Sequence, residues 1–261
     1  MDLGITGRVA LVTGAGGGLG SAISLALARE GARVVGLGRS EVPLARLAAA
    51  ARAEELAFTH LTVDLTDPDA VATALDRLRA EVGAPDILVN NTGRPPPALV
   101  ADLAVEPWRT WFDALVAPVI AITGLVLPAM RANGWGRIIT SASSGIVTPI
   151  PNLGLSNALR SALAGWSKTL AAEIAPDGVT ANVVVPGRIA TDRVAALDRA
   201  KAERDGRSVE EVTRSSTASI PVGRYGRPEE YASAVAYLAG APASYITGSI
   251  IRVDGGMIPS I

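Results

Sequence analysis

A chain of 261 residues has the length of a single α/β domain, and 49% hydrophobic against 19% charged residues excludes intrinsic disorder. Its 24 Lys and Arg against 25 Asp and Glu leave a net charge of -1, which provides no electrostatic footprint for nucleic acid or a membrane surface. There is no cysteine and His60 is the only histidine, which excludes disulfides, thiolate metal sites and histidine-rich metal centres. Met1 to Arg8 lacks the basic and apolar regions of a signal peptide, and no uncharged run is long enough to cross a bilayer, so a cytoplasmic location is expected.

Val9-Ala10-Leu11-Val12 is a continuous apolar run, the pattern of a strand buried on both faces of a parallel sheet. Thr13 to Gly20, Thr-Gly-Ala-Gly-Gly-Gly-Leu-Gly, follows as a turn. Leu19, Ile23 and Leu27 then recur every four residues in a helix that Gly31 ends. Glycines permit positive φ and a close approach of backbone N–H groups to a pyrophosphate, and the helix N-terminus adds a favourable partial charge. Strand, glycine turn and helix in this order mark a phosphate cradle.

Val34 to Leu37 is a second strand ending in Gly38-Arg39-Ser40, and Pro43 to Glu55 reads as an alanine-rich helix. A short third strand, His60 to Val63, closes on Asp64-Leu65. Asp67-Pro68 then supplies an N-cap and a proline at the first helical position, with Val71, Leu75, Leu78 and Val82 on one face of the helix. The fourth strand, Ile87 to Val89, opens into Asn90-Asn91-Thr92-Gly93, Arg94 and the stiff run Pro95-Pro96-Pro97. Arg94 reads either as a holder of an anionic substrate group or as a surface arginine.

Trp108 to Ala132 predicts a long apolar helix, interrupted or kinked near Pro118 and Pro128. Strand five begins at Arg137, and Ser141 to Gly145 is expected to continue it as a small polar strand end. A second long helix spans Ser156 to Ala175, and strand six runs from Val179 to Val185, stopped by Pro186-Gly187. The most charged stretch, Asp192 to Ser219, reads as a solvated helical excursion or as a substrate lid over about residues 190–220. A last helix starts at Pro228-Glu229-Glu230, and Ser249 to Val253 is a seventh strand.

This alternation predicts one doubly wound Rossmann-type α/β domain over residues 1–261, a seven-stranded, mostly parallel sheet with helices on both faces. Ligands of such sheets sit beyond the strand C-termini. The glycine turn, Asp64, Asn91, Ser143 and Pro186-Gly187 all fall there and are expected to line one crevice.

In order and content these signals resemble the short-chain dehydrogenase/reductase family over essentially the whole chain, especially its ketoacyl-carrier-protein-reductase-like members. The matching pieces are Thr13-Gly14 with Gly18 and Gly20, Asp64-Leu65, Asn90 to Gly93, Pro186 to Thr191, and Ile246-Thr247-Gly248 to Gly256. The resemblance implies cofactor contacts from Gly14, Gly18, Leu19, Gly20, Asp64, Leu65, Asn91, Gly93, Pro186, Gly187, Ile189 and Thr191. At the end of strand two an acid would bond a ribose 2'-hydroxyl and an arginine would pair with a 2'-phosphate. Arg39 stands there, which favours NADP(H) and leaves NAD(H) as the alternative.

The family reduces carbonyls with a Tyr and a Lys four residues later on one helix, a Ser on the preceding strand and an Asn on the helix before that. Aligned on Ser143, the tyrosine position falls on Ser156, the lysine position on Arg160 and the asparagine position on Leu115. Only Ser143 matches, so the resemblance is to a subgroup with a degenerate tetrad, in which Ser143, Ser156 and Arg160 are the catalytic candidates. A serine is a far poorer acid than a tyrosine with a neighbouring cation, and a guanidinium does not pass on a proton. Ser156 and Arg160, at i and i+4, share a helix face; read blandly, they are a capping serine and a surface arginine.

Three functions stand at this level. The leading one is an NADP(H)-dependent oxidoreductase acting on a small-molecule carbonyl or activated alkene; the others are an inactive NADP(H)-binding sensor or scaffold, and non-redox lyase or hydrolase chemistry. The apolar helices around Leu115 to Leu127 and Ser156 to Ile174 exceed what one sheet face needs, and with the family's habit they predict a homotetramer.

Overall fold

The computed structural model describes residues 1–260. Strands β1 (Val9–Thr13), β2 (Arg33–Gly38), β3 (Phe58–Thr62), β4 (Ile87–Asn90), β5 (Gly136–Ser141), β6 (Val179–Pro186) and β7 (Ile250–Val253) form one sheet. Their order is β3-β2-β1-β4-β5-β6-β7, and every neighbouring pair is parallel. Between β1 and β4 the direction of winding reverses, which opens a crevice at the C-terminal ends of those two strands.

The helices between them are α1 (Gly18–Arg29), α2 (Glu41–Ala53), α3 (Pro68–Glu81), α4 (Val105–Leu115), α5 (Ala117–Ala132), α6 (Gly154–Ile174), α7 (Asp192–Asp205), α8 (Val209–Ala218) and α9 (Pro228–Ala239). Ile23 and Leu27 of α1, Leu44 of α2 and Val235 of α9 cover one sheet face with Val12 and Val89. Leu75 of α3, Ile122 and Val126 of α5 and Ile174 of α6 cover the other with Leu11 and Leu88. Burial on both faces is why the central strands read as unbroken apolar runs rather than alternating ones.

Local signals fall where the chain needs them. The Asp67 carboxylate accepts from the N–H groups of Asp69 and Ala70 at 3.1 and 3.0 Å and caps α3, with Pro68 at its first position. The long apolar helix is divided at Val116, where Pro118 fits the first turn of α5 because it has no N–H to leave unbonded there. By length and composition Val105–Ala132 matches a membrane span, yet Val119, Ile122, Val126 and Met130 are buried within the core.

Two expectations are corrected. The polar tail of strand five is not strand: β5 ends at Ser141, and Ser143 accepts from the Gly145 N–H at 3.2 Å to start a short 3₁₀ turn, Ser144–Ile146. The charged excursion is not wholly solvated either. It forms α7 and α8, which bury Asp198, Ala202, Val212 and Ser216. The Asp198 carboxylate accepts from Arg188 at 3.2 Å and from the Tyr225 hydroxyl at 2.7 Å, fastening α7 to the segments before and after it.

Candidate functional site

At the end of β1 the chain turns tightly enough to exclude side chains. Gly14 adopts φ +60°, and a Cβ at Gly20 would collide with the Gly14 carbonyl oxygen. The Thr13 hydroxyl accepts from the Asn91 N–H at 2.8 Å, and Asn91 Nδ2 donates to Gly14 O at 3.3 Å, so the glycine turn is stitched to the end of β4. Gly17 is the N-cap of α1 and has no side chain with which to cap the following N–H groups, those of Gly18, Leu19 and Gly20. The result is a glycine-lined helix N-terminus with donors left for an anion.

The segment after β6 closes over this turn. Gly187 N–H donates to Val253 O at 2.9 Å, Ile189 is buried, and a Cβ at Gly18 would stand 2.8 Å from Thr191 Cγ2. Thr191 therefore packs on Gly18 at the start of α1, and Pro186, Gly187 and Ile189 lead to it from the end of β6.

On the β2 side Arg39 is exposed and makes no hydrogen bond or ion pair among the described residues. Glu41, two residues on, is turned away, bound to His60 Nε2 at 2.9 Å and to the Thr62 hydroxyl at 2.5 Å. Asp64 accepts from the N–H and hydroxyl of Thr66 at 3.0 and 2.9 Å; with the positive charge of Arg39, these bonds hold its carboxyl below the usual range. Leu65 packs against the core beside it.

Beyond β4 and β5 the surroundings are cationic. Arg160 of α6 is only 5% exposed. Its Nη2 donates to Gly93 O at 2.9 Å and its Nη1 to Ser141 O at 3.3 Å, so the guanidinium bridges the ends of the two strands. No carboxylate pairs with it among the described residues. Burial, and secondarily the nearby charge of Arg94, pushes its pKa down to about 10, which leaves it charged at neutral pH. The bland reading of Arg160 as a surface residue is thereby overturned.

Ser156 is half-buried in the first turn of α6, where Leu153 is the N-cap, so it does not cap the helix. The Ser144–Ile146 turn abuts this end of α6, since a Cβ at Gly145 would collide with Asn157 Oδ1. Ser143 and Ser156 thus lie on adjoining segments. Leu115 is fully buried with Val116, Leu155 and Leu159, so that position presents packing and no polar group.

One residue that the sequence did not flag lies directly beneath. Tyr231 of α9 is completely buried; its hydroxyl donates to Val184 O at 3.1 Å and shares a 2.8 Å hydrogen bond with Ser141 Oγ. Burial drives its pKa well above that of a free phenol, which unsuits it for giving up a proton. It supports the strand end to which Arg160 is bound. Tyr231→Phe is expected to cost about 1–2 kcal/mol in urea unfolding, because the buried Ser141 hydroxyl loses its partner and Val184 O keeps only the Ala142 N–H, and to leave turnover unchanged. Loss of turnover without loss of stability would make Tyr231 the acid instead.

The family model described as enoyl-(acyl carrier protein) reductase matches residues 14–258. The 3-oxoacyl-[acyl-carrier-protein] reductase FabG of Escherichia coli strain K12 is 38% identical over 255 residues, covering 96% of this chain and 97% of that protein. Nodulation protein G of Azospirillum brasilense is 35% identical over 254 residues, with 96% and 98% covered. L-sorbose reductase from Gluconobacter frateurii, solved with NADPH and L-sorbose, superimposes with a TM-score of 0.94 at 32% identity over 100% of both chains. With this whole-chain similarity, a seven-stranded parallel sheet and a glycine cradle at its switch point, the chain belongs to the short-chain dehydrogenase/reductase family.

Proposed function

We propose that this chain is an NADP(H)-dependent oxidoreductase that moves a hydride to or from a carbonyl or activated alkene through an altered site. The observation that carries this reading is Arg160: an unpaired cation buried between the ends of β4 and β5, beside the glycine cradle. A buried charge with no partner costs several kcal/mol, a cost consistent with a site where negative charge develops.

The cradle fits the cofactor. Gly18, Leu19 and Gly20 offer N–H groups to the pyrophosphate, Arg39 offers a free guanidinium to the 2'-phosphate, and Asp64 with Leu65 borders the adenine. Asn91, Gly93, Pro186, Gly187, Ile189 and Thr191 border the nicotinamide half. The nicotinamide, when bound, supplies or accepts the hydride. In the reducing direction a substrate carbonyl carbon gains that hydride and its oxygen becomes an alkoxide. Ser143 already accepts from Gly145, so its hydroxyl proton is free to donate to that oxygen. The Ser156 hydroxyl has no partner among the described residues and donates likewise; Arg160 offsets the charge. Water delivers the proton, because none of these groups is an acid near neutral pH.

α7 and α8 act as the lid of the crevice in this reading. Phe112, Ile120 and Leu125, exposed on α4 and α5, support assembly into a homotetramer. Burial of Leu115 and the replacement of tyrosine by Ser156 favour a second reading, an NADP(H)-binding protein without turnover. NADPH oxidation followed by nicotinamide absorbance across ketones, oxo acids and enones separates the two. The expected result is turnover with kcat/KM flat between about pH 6 and about pH 9, since Arg160 titrates above that window. NADPH binding with no oxidation of any substrate establishes the second reading; a bell-shaped profile inside the window shows a titrating acid and sinks the water mechanism.

A further inference from the structure

α7 is anchored by a charge. Of its fourteen residues only Asp198 and Ala202 are buried, while Leu197, beside Asp198, is 46% exposed. An ordinary amphipathic helix turns its leucine inward and leaves the carboxylate in water. Here that order is reversed.

Both oxygens of the carboxylate are taken up by other segments. Arg188 Nη1, after β6, donates to Asp198 Oδ1 at 3.2 Å, and the Tyr225 hydroxyl, before α9, donates to Oδ2 at 2.7 Å. Those two stretches are themselves paired. Gly226 N–H donates to Arg188 O at 3.0 Å and Ala190 N–H donates to Gly226 O at 2.8 Å, and a Cβ on Gly226 would stand 2.7 Å from Ile189 Cδ1. This seam runs into Thr191, the N-cap of α7, which packs on Gly18. One buried carboxylate therefore joins α7 and the stretches on either side of it into a unit that ends on the glycine cradle.

Apolar packing does little to replace that tie. Without it the half-exposed Arg188 is solvated by water, and α7 keeps a single buried alanine. Residues 188–191 are then free to leave Gly18 together with α7, and a bound cofactor has to reseat them.

We propose that, on the reading in which residues 188–191 border the nicotinamide half, Asp198 is a positioning residue: its carboxylate holds α7 and that stretch against the glycine cradle and so sets the affinity for NADP(H).

α7 carries its own reporter of the tie, because Arg193, Arg199, Lys201 and Arg204 are trypsin sites that are cut when the helix opens. Asp198→Asn keeps the side-chain volume, but its neutral amide has one acceptor oxygen for two donors. The full-length variant is expected to bind NADPH about tenfold more weakly in a fluorescence titration. Trypsin is expected to cut it within α7 about 10- to 100-fold faster, the range for one or two hydrogen bonds to a charged group. Saturating NADP+ should restore the protection. Tyr225→Phe keeps the ion pair and should shift both readouts the same way, by about three- to tenfold; it alone decides if Asp198→Asn does not fold.

Cleavage spread over the whole chain with NADPH affinity retained makes Asp198 a general structural anchor and overturns the proposal. Faster cutting of α7 at unchanged NADPH affinity also overturns it, since the helix is then uncoupled from the cradle, and so do parent-like affinity and cleavage in both variants. Neither readout needs hydride transfer. A parent protein that binds NADPH but oxidises none with any substrate keeps the tie and loses only the oxidoreductase reading.

Discussion

Arg160→Met is expected to lower kcat/KM for NADPH-dependent reduction by about 10²- to 10³-fold while melting no lower than the parent protein. The two halves of this result follow from the same geometry. Among the described residues the buried guanidinium has no carboxylate, so its removal relieves a desolvation penalty, and methionine refills most of its volume with a flexible apolar chain. What is lost is a hydrogen bond to Gly93 O, on an exposed residue that water reaches, and a longer one, 3.3 Å, to the buried Ser141 O. The charge that offsets the alkoxide vanishes outright, and its cost is that of removing an oxyanion donor. Single-turnover kinetics and thermal unfolding of the variant check both halves. A large drop in melting temperature with normal turnover would make Arg160 a structural strut.

Arg39→Ala is expected to weaken NADPH binding by about 10- to 100-fold and to leave NADH binding nearly unchanged. Arg39 is exposed beyond β2 and free of partners, while the acid that follows it, Glu41, is held by His60 and Thr62. A 2'-phosphate therefore meets a cation that Glu41 does not engage, and a 2'-hydroxyl meets no acceptor from Glu41. Fluorescence titration with both nucleotides reads the difference. Equal weakening of the two would show that Arg39 stacks on adenine, which both share, instead of pairing with phosphate.

The frame was legible because its causes are local or periodic. Both-face burial writes β1, β2, β4 and β6 as apolar runs, and the αα spacing of Leu19, Ile23 and Leu27 writes α1. The glycine turn is equally local. What failed to show in the sequence depends on partners far along the chain. Ser141 to Gly145 looks like a polar strand because nothing nearby reveals that Ser141 is paired with Tyr231, 90 residues away, or that Ser143 caps a turn. Arg160 looks like a surface arginine because its acceptor Gly93 lies 67 residues upstream. The buried Asp198 and its pair with the half-exposed Arg188 were hidden for another reason: a charged, weakly periodic stretch gives no sign of which charge turns inward.

α6 separates two kinds of obligation along one cylinder. Leu155, Leu159 and Leu163 recur every four residues and lock it to Leu115, Val116 and Val119; Ser156 and Arg160 occupy the neighbouring stripe, outside any apolar cluster. Inheritance can then act on the stripes independently. Residues at 156 and 160 can be exchanged across a lineage while the leucine stripe keeps the helix seated, so a new reaction can be tried without the fold having to be found again.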